Sequence, residues 1–139
     1  MSAVRQGNES RVKTIVTSPE APNPAGAYSP AIRVGQLLFM SGQIPIDPAT
    51  GQLVTGDVAV HARRAMENLG ALLKAAGLSF DHVVRTTVFL ADMNDFAAVN
   101  EVYASYFGDP KPARVTVQAA RLPRDARVEI DAIASYDEK

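Results

Sequence analysis

Two charged side chains set in apolar strands carry the most specific chemical signal in this sequence. The segment Pro112-Ala113-Arg114-Val115-Thr116-Val117-Gln118 opens a β-type stretch with an arginine, and Val128-Glu129-Ile130 places a carboxylate between apolar neighbours. Burying either charge without a partner is costly. One reading is a structural Arg–Glu pair, or two charges on a wet edge. The other is an anion site, in which the planar guanidinium fork of Arg114 grips a carboxylate bidentately and Glu129 accepts a proton or holds a water. If a simple turn near Leu122 pairs the two strands, the side chains lie opposite each other. If another strand intervenes, they do not.

Other chemistries find little support. The chain contains no cysteine, which removes disulfides, thiolate nucleophiles and thiolate metal sites, and its two histidines, His61 and His82, are far apart. No metal site is expected. His61 falls on the polar side of a helical stretch near Arg64, and His82 stands at a strand entrance, so both read as solvated surface residues. The pair Arg63-Arg64, with Glu67 one turn on, reads as the wet side of that helix. Gly51 to Gly56 has the glycine spacing of a phosphate loop, but Asp57 stands where a cation is required and would repel the ligand. Fourteen Lys and Arg against fifteen Asp and Glu leave a net charge of -1, which argues against a nucleic-acid partner. No stretch approaches the roughly 20 apolar residues of a membrane span. The chain is expected to be cytoplasmic, with residues 1–10 a loose tail and 11–139 a single domain, a length that can bury one core.

The elements that must position these residues follow from periodicity. Val12 to Val16 is short and β-branched, and a proline-rich loop follows it. Ala31–Val34 and Leu37–Ser41 flank Gly35-Gln36 as a hairpin, and Pro45 to Gly56 reads as a connection. Val58, Ala62, Ala65, Leu69, Leu72 and Ala76 form one apolar stripe on a helix from about Asp57 to Ala76, closed by Gly77. Val83–Leu90 suits a strand, Asn94 to Phe107 a second helix with Gly108 as its stop, and Arg114–Gln118 and Arg127–Ser135 two further strands. The count is about six strands and two helices. Two helices cover one sheet face, so the other face needs a partner and an oligomer is expected.

With the elements in place, the Pro-Ala-Arg segment, its short strand, the loop and the apolar-Glu-apolar triplet resemble the signature of the Rid (YjgF-type, reactive intermediate deaminase) superfamily. Gly26-Ala27-Tyr28-Ser29-Pro30, Met40-Ser41-Gly42-Gln43-Ile44-Pro45 and Asn94-Asp95-Phe96-Ala97-Ala98-Val99-Asn100 resemble the same family, over about Thr14 to Tyr136. Arg114 in the Pro-Ala-Arg motif makes the chain similar to the RidA subfamily. The resemblance implies a chorismate-mutase-like α+β fold, a sheet of about six strands with two helices packed on one face, assembled as a homotrimer with a ligand cleft at each subunit boundary. It implies hydrolysis of 2-imino acids such as 2-iminobutanoate and 2-iminopropanoate, released by pyridoxal-phosphate enzymes, to 2-oxo acids and ammonia, without a cofactor. In that scheme Arg114 clamps the substrate carboxylate, Glu129 positions water, and Tyr28 lines the cleft from a neighbouring subunit. Ser41 and Gly42 offer backbone groups and close approach, and Asn100 hydrogen-bonds ligand or caps structure. Thr116 stands where many members carry cysteine, and a backbone carbonyl role there survives the change. The competing readings are a trimeric protein that binds or senses 2-oxo acids without turnover, and RNA cleavage, which the neutral charge disfavours.

Overall fold

A computed structural model describes residues 12–137; the expected tail at 1–10 lies outside them. The strands are β1 (Thr14–Val16), β2 (Ala31–Val34), β3 (Leu37–Gln43), β4 (Ile46–Asp47), β5 (Gln52–Leu53), β6 (Val83–Leu90), β7 (Ala113–Gln118) and β8 (Val128–Ser135), and the helices are α1 (Val58–Ala75) and α2 (Phe96–Ala104). Six strands form one sheet in the order β1-β2-β3-β8-β6-β7, and β4 and β5 make a separate small hairpin. Only β6 and β7 pair in parallel; every other neighbouring pair in the main sheet is antiparallel. Parallel strands need a crossover, and α2 supplies it.

Helix α1 follows its sequence pattern closely. Val58, Ala62, Ala65, Leu69 and Leu72 are all buried, and they pack with Leu38, Val88, Leu90, Val128 and Ile130 of the sheet in one core. The Asp57 carboxylate accepts the amide of Val60 at 3.1 Å and caps the start. At the other end Leu78 N–H donates to Leu73 O (2.8 Å) and Gly77 N–H to Lys74 O (3.0 Å), with Gly77 at φ +80°. This is a Schellman closure, and it needs the left-handed residue that glycine provides.

Three expectations are corrected. The second helix is shorter than its periodicity suggests: a 3₁₀ turn at Met93–Asp95 precedes it, and it stops at Ala104. Ser105 ends it by donating both its hydroxyl (2.6 Å) and its amide (3.1 Å) to Val102 O. Tyr106 and Phe107 then serve an aromatic cluster with Phe80 instead of a helical stripe. The stretch 45–56 is more than a connection, since β4 and β5 pair within it and Asn68, fully buried, donates to Ile44 O and Ile46 O. Asn68 Oδ1 in turn accepts Arg64, so Arg64 is tied into the structure and is not simply solvated.

Neither histidine is a solvated surface residue. His61 is buried, 8% exposed, and its Nδ1 has no partner among the described residues. Burial, and then the nearby Arg127 cation, lower its pKa below 6.5, against the opposing pull of the Gly56 carbonyl and Asp57. His82 is half-buried; its Nδ1 accepts the Ser79 amide at 3.2 Å and its Nε2 lies 3.3 Å from Asp137. Ser79, His82 and Asp137 therefore form a capped turn, in which the imidazole lone pair is already engaged.

His61 gives the fold a pH dependence whose sign is fixed by the direction of its shift. Neutral in the folded protein and protonated more readily when unfolded, it leaves stability intact above pH 6.5 and removes it as pH falls below that value. Denaturant midpoints between pH 8 and 5 should decline on the acid side, and His61→Gln should flatten that decline.

Candidate functional site

β6 separates the strands that bear the two charges: it pairs with β7 on one side and with β8 on the other. Arg114 is level with Thr86 and Ala132, and Glu129 is level with Phe89 and Val117. Those two rows are three residues apart along each strand. Successive side chains alternate between faces, so an odd offset sends Arg114 and Glu129 to opposite sides of the sheet. Thr86 and Ala132 are buried beneath the helices, which identifies the Arg114 side as the helix-covered face. Glu129 belongs to the other face, with Leu37, Phe39, Val115 and Val117, each 39–43% exposed.

On its own side Arg114 is held by α2. Its Nη1 donates to Asn100 Oδ1 at 2.7 Å, and its guanidinium lies 4.9 Å from the ring centre of Tyr103 and 5.5 Å from that of Phe96. Tyr103 is itself fixed by a 2.6 Å hydrogen bond to Thr86, and burial raises its hydroxyl pKa. One Nη hydrogen bond and two rings leave the rest of the fork directed at a shallow recess lined by Asn100, Tyr103, Ala104, Lys111 and Pro112. Thr116, level with buried Val88, shares the Arg114 face, and its hydroxyl is buried without a partner among the described residues.

Glu129 lines a separate cavity of about 110 Å³, together with Pro22, Tyr28, Gly42, Ile44 and Arg124. Half-buried, it loses hydration, and Asp131 on the same face repels its charge; both raise its pKa above 4.5. Gly42 sits in the irregular part of β3, between Met40 and Gln43, where the register with β8 shifts. A Cβ there would collide with the Glu129 carboxyl, whose Cδ would be 2.9 Å away. The absence of a side chain at position 42 is what admits the acid.

Ser41 acts on the loop that precedes it. Its hydroxyl donates to Ser29 O at 2.6 Å and its amide to Pro30 O at 2.9 Å, which pins the segment carrying Tyr28 against β3. The Tyr28 ring, 52% exposed, forms part of the cavity wall. The single chain thus gathers Tyr28, Gly42 and Glu129 with Ser41 behind them, and places Arg114, Asn100 and Thr116 on the other face. Two features were not read from sequence: Tyr103 beneath Arg114, and Arg124 at the cavity wall. Tyr103 reads as part of an apolar stripe, and Arg124 as part of a turn. Among the described residues, no group of three His, Asp or Glu could hold a metal ion, and no helix is long and apolar enough to cross a membrane.

Comparison with known proteins matches residues 18–136 to the family described as Endoribonuclease L-PSP. A RutC family protein of Pyrococcus horikoshii is 54% identical over 123 residues, 88% of this chain and 98% of that one. The mouse protein named 2-iminobutanoate/2-iminopropanoate deaminase is 50% identical, covering 88% of this chain and 91% of its own. Among solved structures, E. coli TdcF with bound serine superposes with a TM-score of 0.85 at 42% identity, over 89% of this chain and 99% of that one.

The fit of Glu129 against Gly42 can be tested without any ligand. Gly42→Ala should destabilise the protein by about 1–3 kcal/mol through overpacking. Combining it with Glu129→Ala should return most of that loss, as a double-mutant cycle in urea would measure.

Proposed function

The chain belongs to the Endoribonuclease L-PSP family, the Rid (YjgF-type) superfamily, and from that premise we propose that it is a 2-iminobutanoate/2-iminopropanoate deaminase working as a homotrimer. The observation that carries the reading is the division of its candidate residues between two sheet faces. Arg114 with Asn100 makes a carboxylate clamp, and Glu129 beside Gly42 and Tyr28 makes a small, partly apolar chamber with one proton acceptor. Neither half is a complete site. The face bearing Glu129 also exposes Leu37, Phe39, Val115 and Val117, an apolar surface of the kind that subunit contacts cover. Packing one copy's β7 against the β3–β8 region of the next would bury that surface and bring a clamp to each chamber.

The chemistry fits what these groups do well. Arg114 fixes the carboxylate of a 2-imino acid, and the fixed end sets the imine carbon near water, which supplies the proximity part of the rate. Glu129, its proton affinity raised by burial, takes a proton from the attacking water and returns it to nitrogen as ammonia leaves. Imines are readily hydrolysed once protonated, so orientation and one proton relay suffice. The mammalian relatives named as deaminases support this assignment, and serine bound to TdcF supports a ligand of amino-acid size. A trimeric binding protein that keeps the Arg114 clamp without turnover is the second reading, favoured by the intact serine held by TdcF. The charge of -1 gives no support to RNA cleavage.

Four outcomes test the proposal. Light scattering should give a mass near three chains. Arg114→Ala and Glu129→Gln should each lower imine hydrolysis, measured as 2-oxo acid released, by about 100-fold or more. Unfolded and refolded together, the two inactive variants should regain a fraction of wild-type activity, because some boundaries then join an intact clamp to an intact acid; no recovery on mixing would place both residues in one subunit's site. In the wild type, kcat/KM should fall on the acid side with an apparent pKa above 4.5, and Glu129→Gln should abolish that limb.

A further inference from the structure

The cavity around Glu129 has a second charged wall. Four prolines and two isoleucines make up nearly half of its lining, with Glu129 its one carboxyl group and Arg124 its one guanidinium. Arg124 lies in the short turn between β7 and β8, where it and Asp125 occupy left-handed backbone, at φ 58° and 59°. Two consecutive non-glycine residues in that region are unfavourable and persist only where their surroundings hold them. Here two contacts do so. Arg121 grips the Asp125 carboxylate through Nε at 2.7 Å and Nη2 at 3.2 Å, and Arg124 Nη1 donates to Gly51 O at 3.2 Å, in the β4–β5 turn. Among the described residues only one N–H of the Arg124 fork is used and no carboxylate pairs with it, while burial and Asp131 raise the pKa of Glu129. The strained turn therefore holds a guanidinium with open donors at the cavity rim.

We infer that Arg124 is a specificity-determining residue, a second anion site that receives the distal carboxylate of a dicarboxylic 2-imino or 2-oxo acid. This rests on the reading of the cavity as the imino-acid chamber, and it adds the acidic side-chain class to the short aliphatic one. The geometry is that of a molecule held at both ends, its α-carboxylate on Arg114 of a neighbouring copy and its far carboxylate on Arg124, with the reacting carbon near Glu129. Bidentate guanidinium–carboxylate contacts are among the stronger charge-assisted hydrogen bonds.

The test compares imines made in situ by amino-acid oxidases from glutamate or aspartate with those from 2-aminobutanoate, using the full chain. Arg124→Gly suits the left-handed backbone and so keeps the turn, whereas Arg124→Lys keeps the charge without the fork. The ratio of kcat/KM for the acidic imine to that for the aliphatic one should fall about 10- to 100-fold in Arg124→Gly, and less in Arg124→Lys. An unchanged ratio, or a wild type that hydrolyses only the aliphatic imine, overturns the inference and leaves the deaminase reading standing. If the wild type hydrolyses neither, that reading fails, and titration with 2-oxoglutarate and 2-oxobutanoate decides this one separately. Tighter binding of the dicarboxylate, lost in Arg124→Gly, supports it; equal binding sinks it.

Discussion

The two-residue repeat of a β-strand governs everything functional in this chain. Arg114 and Glu129 stand on rows three residues apart in a continuous ladder through β6, and that odd number points them through opposite sides of the sheet. No rotamer change can bring them together, because the sheet itself lies between them. On the proposed reading, a ligand that touches both does so at a boundary between copies. The exposed apolar side chains around Glu129 supply a thermodynamic reason for such a boundary, independent of any ligand.

The supporting residues divide the same way. On the helix side, Asn100, Tyr103 and Thr86 form a relay of hydrogen bond, ring and hydroxyl that fixes one cation. On the open side, Ser41 fastens the loop of Tyr28, and the missing Cβ of Gly42 makes room for the acid. Each half is held by contacts within its own chain, which limits the ordering that binding would still have to impose.

Much of this was legible in the residues. The stripe from Val58 to Leu72, the Gly77 stop, the Gly35-Gln36 hairpin and the six main strands all follow from periodicity and turn chemistry, because in each the local preference agrees with the tertiary demand. What escaped was set by partners distant in sequence. His61 lies on a helix flank that looks polar but is covered by other parts of the chain. Asn68 is a helix-interior polar residue whose function, bracing β4, depends on carbonyls more than twenty positions away. The strand order could not be chosen from the turn at Leu122, since a short β7–β8 connection is equally compatible with direct pairing and with β6 lying between. Arg114 and Glu129 stand out as charges set in apolar strands, Tyr28, Ser41, Gly42, Asn100 and Thr116 follow only from family likeness, and the distribution of all of them over two faces needed the register.

Thr116 sits beside the clamp on the covered face, its hydroxyl out of contact with any donor or acceptor in the described chain. A thiol in that place would be soft, polarisable and a link in the oxidation ladder of sulfur. A hydroxyl is none of these. The surroundings of Arg114 are thereby chemically quiet, and with no sulfhydryl anywhere in the chain, oxidants and reactive carbonyl compounds find no cysteine through which to crosslink two copies.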